Sequence, residues 1–140
     1  MKTPILFLAA MAFLVTPQPA GHAAPIASAA RPAGVQKDVS PDEAGKLLKD
    51  NPQIVVLDVR TPEEFAVGHI AGAKNIDFKA ADFAEKVAAL DKGKTYLVHC
   101  ASGGRSRKTL DLMKGENFAL IYQLSEGFKA WEKAGKPVEK

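Results

Sequence analysis

The sequence predicts an α/β fold: a mostly parallel sheet of about five strands with helices on both faces. Three observations carry that prediction. Short runs such as Ile54-Val55-Val56-Leu57-Asp58 are apolar on successive residues, as strands buried on both faces are. Amphipathic stretches with helix-start signals alternate with those runs. The connections are of crossover length, which parallel strands require.

The elements follow in order. Ser40-Pro41-Asp42-Glu43 is a capping box with proline at the first helical position, opening a helix to about Lys49. Asn51-Pro52 stops it, and the strand over residues 54–58 comes next. Thr61-Pro62-Glu63-Glu64 caps a second, short helix through about Val67. A short strand falls near Asn75-Ile76. Residues 80–90 read as an amphipathic helix with Phe83, Val87 and Leu90 on one face. Thr95, Tyr96, Leu97 and Val98 form a strand ending at His99, and residues 106–114 a helix. Residues 119–123 form a further buried strand and residues 127–134 a terminal helix. No internal repeat is visible.

The N-terminus stands apart. Met1-Lys2 leads into an apolar run over residues 5–15, followed by the small and polar residues 16–24. A basic start, a short apolar core and a small-residue tail make a secretory signal peptide, residues 1–23. The run is well short of the ~20 residues a spanning helix needs, so no stable membrane anchor is expected. Cleavage after Ala23 is preferred to cleavage after Ala29, which lies far from the apolar core. Residues 24–34, rich in Ala and Pro, read as a flexible linker, and residues 35–140 as one domain. The expected location is periplasmic. Loss of Lys2 takes the net charge from +3 to +2, too mild for a nucleic-acid partner.

Chemistry concentrates in His99-Cys100-Ala101-Ser102-Gly103-Gly104-Arg105-Ser106, which holds the single cysteine of the chain. An exported protein normally pairs its cysteines, so a lone one is a candidate reactive thiol. It stands at the carboxyl end of a strand, before a loop of N–H groups and a helix start, where anions and thiolates are stabilised. Two glycines allow close backbone approach to a ligand, and Arg105 adds a fixed charge with a planar donor fork. Cys100 is therefore the expected nucleophile, with Ala101, Ser102, Gly103, Gly104, Arg105 and Ser106 as the substrate-binding loop. Three His and one Cys show no metal-ligand spacing, and no metal or organic cofactor is implied.

Loop length separates two reaction classes. Cysteine phosphatases place five residues between Cys and Arg; here there are four, with Ser106 where that arginine would fall. The loop resembles instead the six-residue active loop of rhodanese-family sulfurtransferases. Two further motifs extend the resemblance. Leu57-Asp58-Val59-Arg60-Thr61-Pro62-Glu63-Glu64-Phe65, with Gly68-His69-Ile70-Ala71-Gly72-Ala73 and Asn75-Ile76, resembles the upstream rhodanese signature. Leu124-Ser125-Glu126-Gly127-Phe128-Lys129-Ala130-Trp131 resembles the downstream one, with Glu126 in place of the first glycine of a pair, a departure expected to alter a tight turn. The resemblance implies a rhodanese-like fold and a periplasmic, single-domain thiosulfate sulfurtransferase. Its implied partners are a small anionic sulfur donor and a thiophilic acceptor such as cyanide or a thiol, linked by a cysteine persulfide. A sulfur carrier delivering persulfide to a partner protein is the alternative, and phosphatase or arsenate reductase chemistry is disfavoured by the short loop.

Roles outside the loop are set by position. Asp58 ends a strand pointing toward the active face; a structural ion pair with Arg60 is favoured over a place in the site. Arg60 and Glu64, at helix-like spacing, are placed to bridge each other. His69 is expected to order its loop, Trp131 to fill the core, and His99 to point to the sheet face opposite Cys100.

Overall fold

The computed structural model describes residues 34–140. The expected signal peptide, residues 1–23, and all but Gly34 of the expected linker lie outside the described residues. The elements run β1 (Val35–Val39), α1 (Pro41–Asp50), β2 (Val55–Asp58), α2 (Pro62–Val67), β3 (His69–Ile70), β4 (Lys74–Asn75), α3 (Phe83–Ala88), β5 (Thr95–His99), α4 (Gly104–Lys114), β6 (Leu120–Leu124), α5 (Gly127–Lys133) and β7 (Val138–Glu139). Five strands form one parallel sheet in the order β1-β6-β5-β2-β4, and β3 pairs with β7 in an antiparallel ribbon. The α/β architecture and the parallel sheet agree with the sequence. No helix among the described residues is long and apolar enough to cross a membrane.

Side-chain alternation along the buried strands sorts the core into two layers. Leu57, Tyr96, Val98 and Ile121 face α3 and α4 with Phe83, Val87, Leu110 and Met113. Val56, Leu97 and Leu124 face α1 and α5 with Ala44, Phe128 and Trp131. Both capping boxes form: Ser40 and Thr61 each accept from the third helical residue, whose glutamate reaches back to the cap N–H.

Differences from the sequence reading are local. β1, Val-Gln-Lys-Asp-Val, is an added edge strand whose polar, exposed residues conceal it. α3 is shorter than residues 80–90: hydrogen-bonded turns precede it, and Asp82 provides no side-chain cap. α4 starts two residues early, because Gly103 turns through a left-handed conformation straight into the helix.

The sheet positions the site. From β2 the chain moves outward to β4, and from β5 it moves the other way to β6. The reversal therefore lies between β2 and β5, and sheets of this kind bind ligands at such a crevice, beyond the strand carboxyl ends. Cys100 follows β5 there, and Arg60 follows β2 nearby.

Candidate active site

Cys100 is buried, with 1% of its surface exposed. Its sulfur accepts from the Gly103 N–H at 3.0 Å and lies 3.7 Å from the Ser106 Oγ. Burial pushes the thiol pKa up. The Ser106 N–H and hydroxyl, with the N–H groups of Ser102 and Gly103, outweigh burial and hold it below the ordinary cysteine value. The loop thus presents backbone dipoles to the sulfur, as an anion-binding nest does.

Two glycines make this geometry possible. Gly103 has φ +98°, and a Cβ there would stand 2.1 Å from the Ser125 carbonyl oxygen. Gly127, at the start of α5, has φ +73°, and its Cβ would stand 2.4 Å from the Ala101 oxygen. The close approach lets α5 donate into the loop: Phe128 N–H to the Cys100 carbonyl at 2.8 Å and Lys129 N–H to the Ala101 carbonyl at 3.1 Å. Glu126 corrects one expectation. It has ordinary right-handed φ and ψ of −87° and −6°, so no tight turn depends on a glycine at that position.

Gln123 on β6 is a site residue that the sequence reading missed. Its Nε2 donates to the Gly103 carbonyl and to Ser106 Oγ, both at 3.1 Å. The signal was a lone amide in the otherwise apolar strand Leu-Ile-Tyr-Gln-Leu. The Ser106 hydroxyl also donates to the Gly103 carbonyl at 3.0 Å, which accepts from Arg107 N–H as well. That carbonyl stays satisfied when the serine proton turns toward the sulfur.

Arg105 reaches across the mouth to Glu64 on α2, donating through Nη1 and Nη2 at 2.8 and 2.9 Å. The Arg105 guanidinium holds the Glu64 pKa at about 2. In return Glu64, followed by smaller effects that include the Cys100 charge, raises the Arg105 pKa. The expected Arg60–Glu64 bridge is absent. Arg60 precedes the Thr61 cap and so lies outside the helix, where helical spacing has no meaning. It grips Asp58 instead, with Nη2 to Oδ2 at 2.6 Å, and donates to the Gly68 carbonyl at 2.7 Å. Asp58 and His99 are fully buried, with His99 Nε2 3.6 Å from Asp58 Oδ2. Burial holds the His99 pKa below its ordinary value.

The remaining residues take structural places. His69 Nδ1 lies 3.1 Å from the Phe65 carbonyl, with its ring stacked on Phe65. Trp131 is buried and donates to the Pro137 carbonyl at 2.9 Å. Ala101, Ser102, Gly104 and Arg105 lie at the surface of the loop, while Gly103 and Ser106 are buried beneath it. Among the described residues, no three His, Cys, Asp or Glu side chains gather as a metal-binding group.

A parallel α/β sheet carrying a cysteine in a nest of N–H groups at its switch point defines a class of thiolate-loop proteins. Within that class, residues 40–134 match the rhodanese-like domain, and the chain belongs to that family. It is 35% identical over 94 residues to the thiosulfate sulfurtransferase GlpE of Pseudomonas aeruginosa, covering 66% of this chain and 81% of that protein. It is 39% identical to thiosulfate sulfurtransferase 16, chloroplastic, of Arabidopsis thaliana, over 59% of this chain and 78% of that one. The fold is similar to that of a rhodanese-related protein from Thermoplasma volcanium, with TM-score 0.64 and 28% identity, over 74% of this chain and 97% of that one.

Proposed function

We propose that the protein is an exported sulfurtransferase that works through a persulfide on Cys100. Family membership and relatives named thiosulfate sulfurtransferase support the transfer of sulfur. The observation that carries the persulfide is the ring of donors around the Cys100 sulfur, which favours an anion at that point. Export rests on the basic start, apolar run and small-residue tail of residues 1–23, and it puts the enzyme in the periplasm.

The chemistry is double displacement. The Cys100 thiolate attacks the outer sulfur of thiosulfate. A bond from Sγ to that sulfur forms, the bond to the sulfonate sulfur breaks, and sulfite leaves with the electron pair. Cyanide or a thiolate then attacks the outer sulfur of the persulfide, and Cys100 departs as thiolate. Attacking and leaving groups are anions in both halves, so no side chain moves a proton. The loop N–H groups of Ser102, Gly103 and Ser106 stabilise the charge on the cysteine, and the loop with Arg105 receives the donor.

Intact-mass spectrometry after addition of thiosulfate tests this reading. One added sulfur atom is expected, removable by cyanide, and Cys100→Ser is expected to take up none. Full sulfur transfer by the serine variant would refute the assignment.

A further inference from the structure

The cation at the mouth of the site is already engaged. Glu64 accepts from both terminal nitrogens of Arg105, using both carboxylate oxygens. A bidentate guanidinium–carboxylate pair occupies the same planar fork that an oxyanion would take. Glu64 is itself anchored, because its Oε2 also accepts from the Thr61 N–H at 2.9 Å as part of the α2 capping box. The two side chains are 23% and 36% exposed, so an incoming donor meets them at the surface of the mouth. Its pKa of about 2 keeps Glu64 charged across the whole neutral range.

We propose that Glu64 is a specificity-determining residue, which lowers the affinity of the site for dianionic sulfur donors relative to donors with one negative charge or none. This rests on the sulfurtransferase reading. A dianion must either displace Glu64 from Arg105 or bind beside a carboxylate whose charge cancels that of the guanidinium. The loop N–H groups face the Cys100 sulfur whatever the donor, and they offer partial charges that suit a single anionic centre. The substrate class that fits best is therefore an organic persulfide or thiosulfonate rather than a doubly charged inorganic anion. With a protonated persulfide, the Cys100 thiolate attacks the outer sulfur, the S–S bond of the donor breaks, and the donor leaves as its thiolate. With a thiosulfonate, the same attack on the terminal sulfur expels a sulfinate.

The test uses two donors that deliver sulfur in the same way and differ by one charge. Thiosulfate is the dianion, benzenethiosulfonate the monoanion, and cyanide is the acceptor for both. Glu64→Gln keeps an acceptor for the α2 cap, since glutamine also serves in a capping box. The variant is expected to lower KM for thiosulfate about two- to fivefold, the range that a partly exposed ion pair supplies. KM for benzenethiosulfonate is expected to change less, so the ratio of the two moves. Sulfate, a dianion that transfers nothing, is expected to inhibit the variant more strongly than the native protein. Glu64→Ala, which loses the cap as well, is expected to shift the donor ratio the same way. Equal changes for both donors, or a rise in KM for thiosulfate, would overturn the proposal while leaving the sulfurtransferase reading intact. Failure of the native protein to turn over either donor would remove both.

Discussion

Gly127→Ala tests how the downstream motif shapes the cysteine loop. The added Cβ would meet the Ala101 oxygen at 2.4 Å, the Ala101 carbonyl carbon at 2.5 Å and the Ser102 nitrogen at 2.6 Å. All three are backbone atoms, so no side chain can swing aside, and the loop must retreat by about 1 Å to restore ordinary contact. Alanine at φ +73° costs about 1–2 kcal/mol on its own. Retreat also stretches the Phe128 and Lys129 hydrogen bonds into the loop, each worth about 0.5–1.5 kcal/mol. The expected loss is about 2–5 kcal/mol in denaturant melts. Gly135→Ala is the control: φ is +68°, and nothing lies within 4 Å of its Cβ, so it pays the backbone strain alone. Turnover with thiosulfate and cyanide is expected to fall by roughly 100-fold in Gly127→Ala, the scale of a 1 Å misplacement at a reacting centre. If Gly127→Ala loses no more stability than Gly135→Ala, or keeps full turnover, then the close packing of α5 on the loop does not set the site.

Two further predictions concern titration. Ser106→Ala removes a hydroxyl that helps hold the Cys100 thiol below its ordinary range, so the pH profile of iodoacetamide alkylation is expected to move upward, and an unmoved profile counts against that donor. Glu64 falls from an ordinary 4.5 to about 2 on folding, so its pair with Arg105 adds stability above pH 4.5 that is lost as pH falls toward 2. The pair is partly exposed, which limits the loss to about 1 kcal/mol or less, and Glu64→Gln is expected to flatten the stability curve over that window in acid melts.

Sequence signals were strong where the physics is local. The capping boxes at Ser40 and Thr61 fixed both helix starts, because each is a reciprocal bond within four residues. The buried strands were legible because β-branched, two-faced apolar runs have few other uses. β1 was hidden because an edge strand with one neighbour tolerates Gln36, Lys37 and Asp38. The Glu64–Arg105 pair spans 41 positions and depends on where two helix N-termini meet above the sheet, which no local spacing encodes. Gln123 was missed for a related reason: its partners, Gly103 and Ser106, lie on a different element and reach it only through the β5–β6 pairing.

The pleat of β5 separates the chemistry from its brace. His99 and Cys100 are neighbours, so their side chains leave opposite faces of the sheet. On one face, His99 lies against the Asp58–Arg60 pair, with the Arg60 guanidinium 3.9 Å from the centre of the Phe128 ring. On the other, Cys100 lies under the loop with Ser106 and the start of α4. The buried pair therefore cannot serve the thiol as a base. What it can do is fix the residues that carry the loop: Arg60 ties the end of β2 to Gly68, and the ring beside it belongs to the residue whose N–H holds the Cys100 carbonyl. His99 only packs against that pair: its Nε2 has no hydrogen-bond partner among the described residues, and burial disfavours its protonation. The cysteine is thereby left to backbone dipoles, which need no proton to stabilise an anion.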